Sequence, residues 1–286
     1  MIYLLLSILS STAIFVIFKL FNKYNINTLQ AIVVNYFTAF TCGLLLNKGE
    51  IVPSEILKTD WFIGAFILGF LFIAIFNVMA LTAQKNGLSV ASVASKMSVV
   101  IPVAFGIYVF KESIGAQKII GILLALIAVY LTSIKPKDDA VLTKSLHLPI
   151  LLFFGSGIID TSINYFAPDD KIPLFSATIF AIAAVIGVLT LSFKAIVKKS
   201  YFKLKAIPLG IALGIVNYCS IHFILLALRI DHFESSTIFT VNNVAIVALT
   251  TLVGLMLFRE QISKQNWIGI IVAMISILLV TLRNGN

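Results

Sequence analysis

Apolar residues in this chain neither alternate nor recur in helical thirds and fourths; they run on. Ten such runs cover 2–21, 29–46, 62–83, 88–110, 117–134, 148–166, 173–193, 206–228, 235–257 and 266–282. A bilayer core about 30 Å thick needs roughly 20 apolar residues per helix, and most of the runs come close to that. Barrel strands read as alternating segments of about ten residues, and these runs do not alternate. A helix satisfies its own backbone hydrogen bonds in lipid. The pattern therefore predicts an all-α polytopic membrane protein with ten transmembrane helices. The first run has no positive residues before it and no small-x-small site after it, so it reads as a permanent span and not a cleaved signal. The connectors hold the polar punctuation, such as Pro53-Ser54-Glu55 and Pro168-Asp169-Asp170-Lys171.

The ten runs fall into two sets of five. Phe110-Lys111-Glu112 closes the fourth run and Phe258-Arg259-Glu260 closes the ninth, 148 residues later. Gln117 and Gly121 match Gln265 and Gly269 at the same offset. The fifth and tenth runs close on Lys135 and Arg283, again 148 apart. The chain reads as a first five-helix repeat over 1–137 and a second over 138–286. An odd number of spans per copy inserts the second copy upside down. Inverted repeats of this kind build secondary transporters that rock about a midplane site.

Five plus five helices with paired Phe-Lys-Glu…Gln…Gly and Phe-Arg-Glu…Gln…Gly signatures resemble the EamA-type proteins of the drug/metabolite transporter superfamily. The resemblance covers nearly the whole chain. It implies a monomer-sized carrier with a central cavity lined by spans 1, 3, 4, 6, 8 and 9, with spans 5 and 10 peripheral. It also implies a small-molecule substrate, such as an amino acid, a sugar or a nucleotide derivative, often moved outward.

Composition excludes most other classes. Hydrophobic residues make up 60% of the chain and charged residues 12%, against about 45–50% and about 25% in soluble domains. Disordered segments are poor in apolar residues. The two cysteines, Cys42 and Cys219, lie inside apolar runs and form no disulfide framework. The net charge of +9 is spread over single and short-clustered lysines between spans, which in membrane proteins set orientation and do not mark nucleic acid. Seven Lys and Arg lie in the connectors and tail on the side of the termini and thirteen on the other side. The positive-inside rule thus favours termini outside, whereas the resemblance implies termini inside.

Most charges lie at span ends, where long side chains can snorkel, but two fall deep within spans and are expensive there. Lys96 sits about 12 Å along the fourth span at 1.5 Å per residue, on one face with Ser89 and Ser92. Asp160 sits near the middle of the sixth span on a stripe with Ser156 and Asn164. Asp is too short to snorkel far. Both residues are candidates for substrate binding or proton coupling in a cavity, joined by Asn77, Ser92, Asn164, Asn217, Thr240 and Asn243. The competing reading is interhelix bonding, for which Asn and Ser are also used in membranes. His222, alone on its helix, reads as a packing residue. Glu112, Glu260, Gln117 and Gln265 read as a structural repeat signature, each Glu favouring the N-terminal end of the fifth or tenth helix and pairing with Lys111 or Arg259.

No phosphate loop, zinc motif or nucleophile elbow occurs. The sequence therefore predicts no catalytic residue, no metal and no cofactor. It predicts a secondary transporter of a small polar metabolite in a bacterial plasma membrane, with protons as a candidate coupling ion. The alternative is an intramembrane enzyme or lipid-handling protein using Asp160 and His222.

Overall fold

The computed structural model describes residues 2–47, 53–109, 116–133, 146–168, 171–199, 201–228 and 235–281. Among these the regular secondary structure is all helical. In order run α1 (Ile2–Lys23), α2 (Thr28–Leu46), the short α3 (Pro53–Ile56), α4 (Phe62–Lys85), α5 (Leu88–Met97), α6 (Val100–Val109), α7 (Ala116–Ser133), α8 (His147–Phe166), α9 (Ile172–Lys198), α10 (Ala206–Leu228), α11 (Ser235–Phe258) and α12 (Lys264–Thr281). Six of them (α1, α2, α4, α9, α10 and α11) are long and apolar enough to cross a membrane. Four apolar stretches are shorter: Leu88–Pro102, Ile119–Thr132, His147–Ile163 and Lys264–Leu279.

The fourth run departs most from expectation, because it is two helices. Pro102 has no N–H to offer Ser98, and its ring crowds the carbonyl one turn earlier. The chain tightens instead, with the Ile101 amide donating to the Ser98 carbonyl at 2.9 Å. The helix stops at Met97 and restarts at Val100.

Contacts at the helix ends give the directions. Lys19 at the end of α1 reaches the Ala83 carbonyl near the end of α4. Gln30 at the start of α2 reaches the Tyr201 carbonyl just before α10. Asn266 at the start of α12 donates to the Leu131 and Thr132 carbonyls near the end of α7. These ends share one side of the bundle. Phe166, closing α8, packs on Gly64 at the start of α4, on the opposite side.

Glycine sets the closest approaches. α2 and α10 run parallel: a Cβ on Gly210 would lie 2.8 Å from the Ala31 carbonyl oxygen, and one on Gly214 would lie 2.6 Å from that of Asn35. Such contact is how small residues drive helix association where lipid is as apolar as the interface. Between α2, α4 and α9, the fully buried Tyr36 ring lies 5.9 Å from Phe76 and 6.0 Å from Phe180. A second apolar cluster joins Val93, Met97 and Val100 to α7, α11 and α12.

Candidate functional site

The break between α5 and α6 sets out a polar centre. α5 is buried along its length except at Lys96, which is partly exposed. Lys96 stands in the last turn of α5, where the partial negative charge of the helix end favours a cation. Ser98 lies in the gap, next to the start of α6, where the backbone favours an anion. Asp160 of α8 meets it there, with Oδ2 3.5 Å from the Ser98 hydroxyl.

Asp160 is exposed, and its position says to what. The outer face of α8 is the stripe Ile150, Leu151, Phe154, Ile158 and Tyr165, each half exposed or more. At 100° per residue, Asp160 points about 200° away from Ile158. Its exposure is therefore to a hollow inside the bundle. Lys96 stands in the last turn of α5, two residues before the Ser98 that Asp160 meets, but Lys96 and Asp160 make no direct ion pair of the kind Lys19 and Glu260 make. On the same face of α8, the buried Ser156 hydroxyl has no hydrogen-bond partner among the described residues.

The other sequence-predicted residues scatter. Ser92 accepts from the Thr250 hydroxyl of α11 at 2.7 Å, a buried helix-to-helix contact. Asn217 donates to Asn35 of α2 at 3.2 Å, joining α10 to α2. Asn77 is half-buried and donates back to the Ile73 carbonyl of its own helix. Asn243 is buried on α11, beside Asn242, whose side-chain oxygen lacks a partner among the described residues. The side chains of Asn164 and Thr240 lie outside the described set, and Glu112 lies outside the described residues. Gln117 donates to the Leu279 carbonyl, and Gln265 is exposed. His222 stacks on Tyr218 at 5.8 Å.

Glu260 corrects its expectation. It does not serve the start of α12 or pair with Arg259. Both its carboxylate oxygens accept from the Leu88 amide at 3.0 Å, and it pairs with Lys19 at 2.8 Å. It thus caps α5, a helix of the other half. Sequence spacing holds no signal for that contact. The break at Pro102 did have one, a proline inside an apolar run.

A model of the EamA-like transporter family matches residues 1–134. A Haemophilus influenzae protein, described only as an uncharacterized protein, is 30% identical over 282 residues, covering 96% of this chain and 95% of its own. The chain belongs to the EamA-like transporter family. Through that family it belongs to the drug/metabolite transporter superfamily. A crystal structure covering 96% of both chains is 13% identical with a TM-score of 0.54, a likeness of fold alone. Family and apolar helices together make this EamA-like chain an integral membrane protein. In it, the first half supplies Lys96 and the second half supplies Asp160.

Proposed function

We infer that this chain is a secondary transporter of a small polar metabolite, such as an amino acid or related solute, working by alternating access between two inverted five-helix halves. The observation that carries the reading is the Lys96–Asp160 hollow. Two opposite charges, one from each half, face one internal space without neutralising each other. A solute bearing both a carboxylate and an ammonium group would complete them. Its binding would then depend on how the halves stand relative to one another, which is the coupling that alternating access requires.

Reciprocal packing of α7 and α12 supports the inverted repeat. Gln117 of α7 donates to the Leu279 carbonyl, while Asn266 of α12 donates to the Leu131 carbonyl. Leu131 and Leu279 are 148 positions apart, the offset of the repeat. The unpaired charges also leave Asp160 free to exchange a proton, so the proposed coupling ion is H⁺. In this reading the carrier acts as a monomer in a bacterial plasma membrane. The side chains proposed around the solute are Lys96, Ser98 and Asp160, with Asn77 and Asn243 completing the wall and Ser92 and Asn217 bracing its helices.

Reconstitution tests it. Purified protein in liposomes should accumulate at least one zwitterionic solute from a labelled amino-acid panel, and Lys96→Met should remove that flux. Chemical conversion of a solute without flux would favour the intramembrane-enzyme reading instead.

A further inference from the structure

Glu260 stands just beyond α11, on a turn in which Arg259 adopts a left-handed φ of 50° and the Glu260 amide donates to the Gly254 carbonyl at 3.0 Å. That turn carries the carboxylate back towards the first half of the chain. There it accepts the Leu88 amide with both oxygens and meets the Lys19 ammonium, which also lies 3.4 Å from the Ala83 carbonyl. Two glycines make the seat. A Cβ on Gly254 would lie 2.7 Å from the carboxylate, and one on Gly87, whose φ is +104°, would lie 3.0 Å from it. The cluster ties the ends of α1, α4 and α11 to the start of α5. Lys96 lies eight residues further along α5, about 12 Å deeper at 1.5 Å per residue. The cluster therefore stands at one end of the hollow.

Its chemistry suits a contact that parts. The Lys19 and Glu260 side chains keep 19% and 12% exposure, so water reaches both. The carboxylate is flanked by glycines, and separating it from its partners uncovers polar groups that water can solvate. Interlocked apolar side chains would resist such a separation far more strongly.

We propose that Glu260, Lys19 and the Leu88 amide form a latch that holds this end of the hollow shut and releases when solute passes there. The proposal rests on the transporter reading above, and its test needs no solute. Ser89 is buried immediately inside the latch. In a Cys42→Ser, Cys219→Ser background, Ser89→Cys reports opening through its rate of labelling by a membrane-impermeant thiol reagent, applied to the face bearing Lys199. Glu260→Gln and Lys19→Gln should each raise that rate roughly tenfold, the scale of a lost charge-assisted hydrogen bond. Gly87→Ala, which crowds the carboxylate without touching either charge, should raise it as well, and Lys19→Arg should leave it near the parent rate. Unchanged labelling in both Gln variants overturns the latch. So does a Lys19→Gln protein that no longer folds, because that outcome marks a brace of the fold. Absence of flux in liposomes with latch-dependent labelling would remove the transport reading and leave the latch; flux with unchanged labelling would do the reverse.

Discussion

Asp160 Oδ2 stands 3.5 Å from the Ser98 hydroxyl, while the Ser95 carbonyl stands 2.5 Å from the same hydroxyl. One hydroxyl proton serves one acceptor at a time, and the shorter contact takes it. Asp160 is thus held loosely at a helix break. Asp160→Asn should leave thermal stability in detergent within about 1 kcal/mol, the net worth of a typical hydrogen bond. The same change should abolish solute flux. A large loss of stability with flux retained per folded molecule would make Asp160 a structural residue.

Pro102 separates α5 from α6, and the break places Lys96 at one helix end and Ser98 beside another. Pro102 lies in the first turn of α6, where proline is tolerated, and what it bars is one continuous α5–α6 helix, in which it would cost about 3 kcal/mol. Pro102→Ala should therefore raise the melting temperature in detergent. It should also lower flux by roughly tenfold or more, since small misplacements at a site carry that scale of cost. A variant that is both more stable and fully active would show that the break does not shape the site.

Glycines on α10 differ from one on α2 in what they touch. A Cβ on Gly214 would lie 2.5 Å from the Thr38 Cβ and 2.6 Å from a backbone oxygen, neither of which can swing away. One on Gly43 would meet the Ala177 Cβ at 3.0 Å. Gly214→Val should destabilise the protein by about 2–3 kcal/mol, the range for overpacking. Gly43→Ala should cost less than about 1 kcal/mol. Thermal unfolding of both variants in the same detergent checks the order.

Asn217 and Asn35 join α10 to α2 by one buried side-chain bond. Such bonds in membranes average about 0.6 kcal/mol. A double-mutant cycle with Asn35→Ala and Asn217→Ala should return a coupling of that size. A coupling near zero, with flux lost in Asn217→Ala alone, would move Asn217 from the brace to the solute.

With ten spans, thirteen of the twenty Lys and Arg at span ends and in connectors fall on the side away from the termini. The positive-inside rule then favours termini outside, against the side the family resemblance implies. Lys199→Cys should resist an impermeant thiol reagent added to intact cells and react once the membrane is opened. Labelling of intact cells would reverse the orientation and agree with the family resemblance.

The sequence by itself determined the class of solvent this chain lives in. Continuous apolar runs such as 62–83 have no other use, because their backbone groups must pair within one helix when no water is present. It also placed the two charges within spans, since Lys96 and Asp160 stand out against apolar neighbours at any alignment of the helices. The matched signatures around Glu112 and Glu260 carried the family. What a linear pattern cannot hold is which helix faces which. Ser92 and Asn217 look like cavity residues on a helical wheel, yet Thr250 and Asn35 claim them, because those partners lie 158 and 182 positions away. Glu260 reads as a local cap by its spacing, and tertiary packing carries it to Leu88, 172 positions back. The split of the fourth span was written in Pro102, but its consequence, a helix end placed against Asp160, required α8 to pack there. Periodicity fixes the face of one helix, while the partner of that face is set by long-range packing of glycine contacts and apolar side chains that no window of sequence contains.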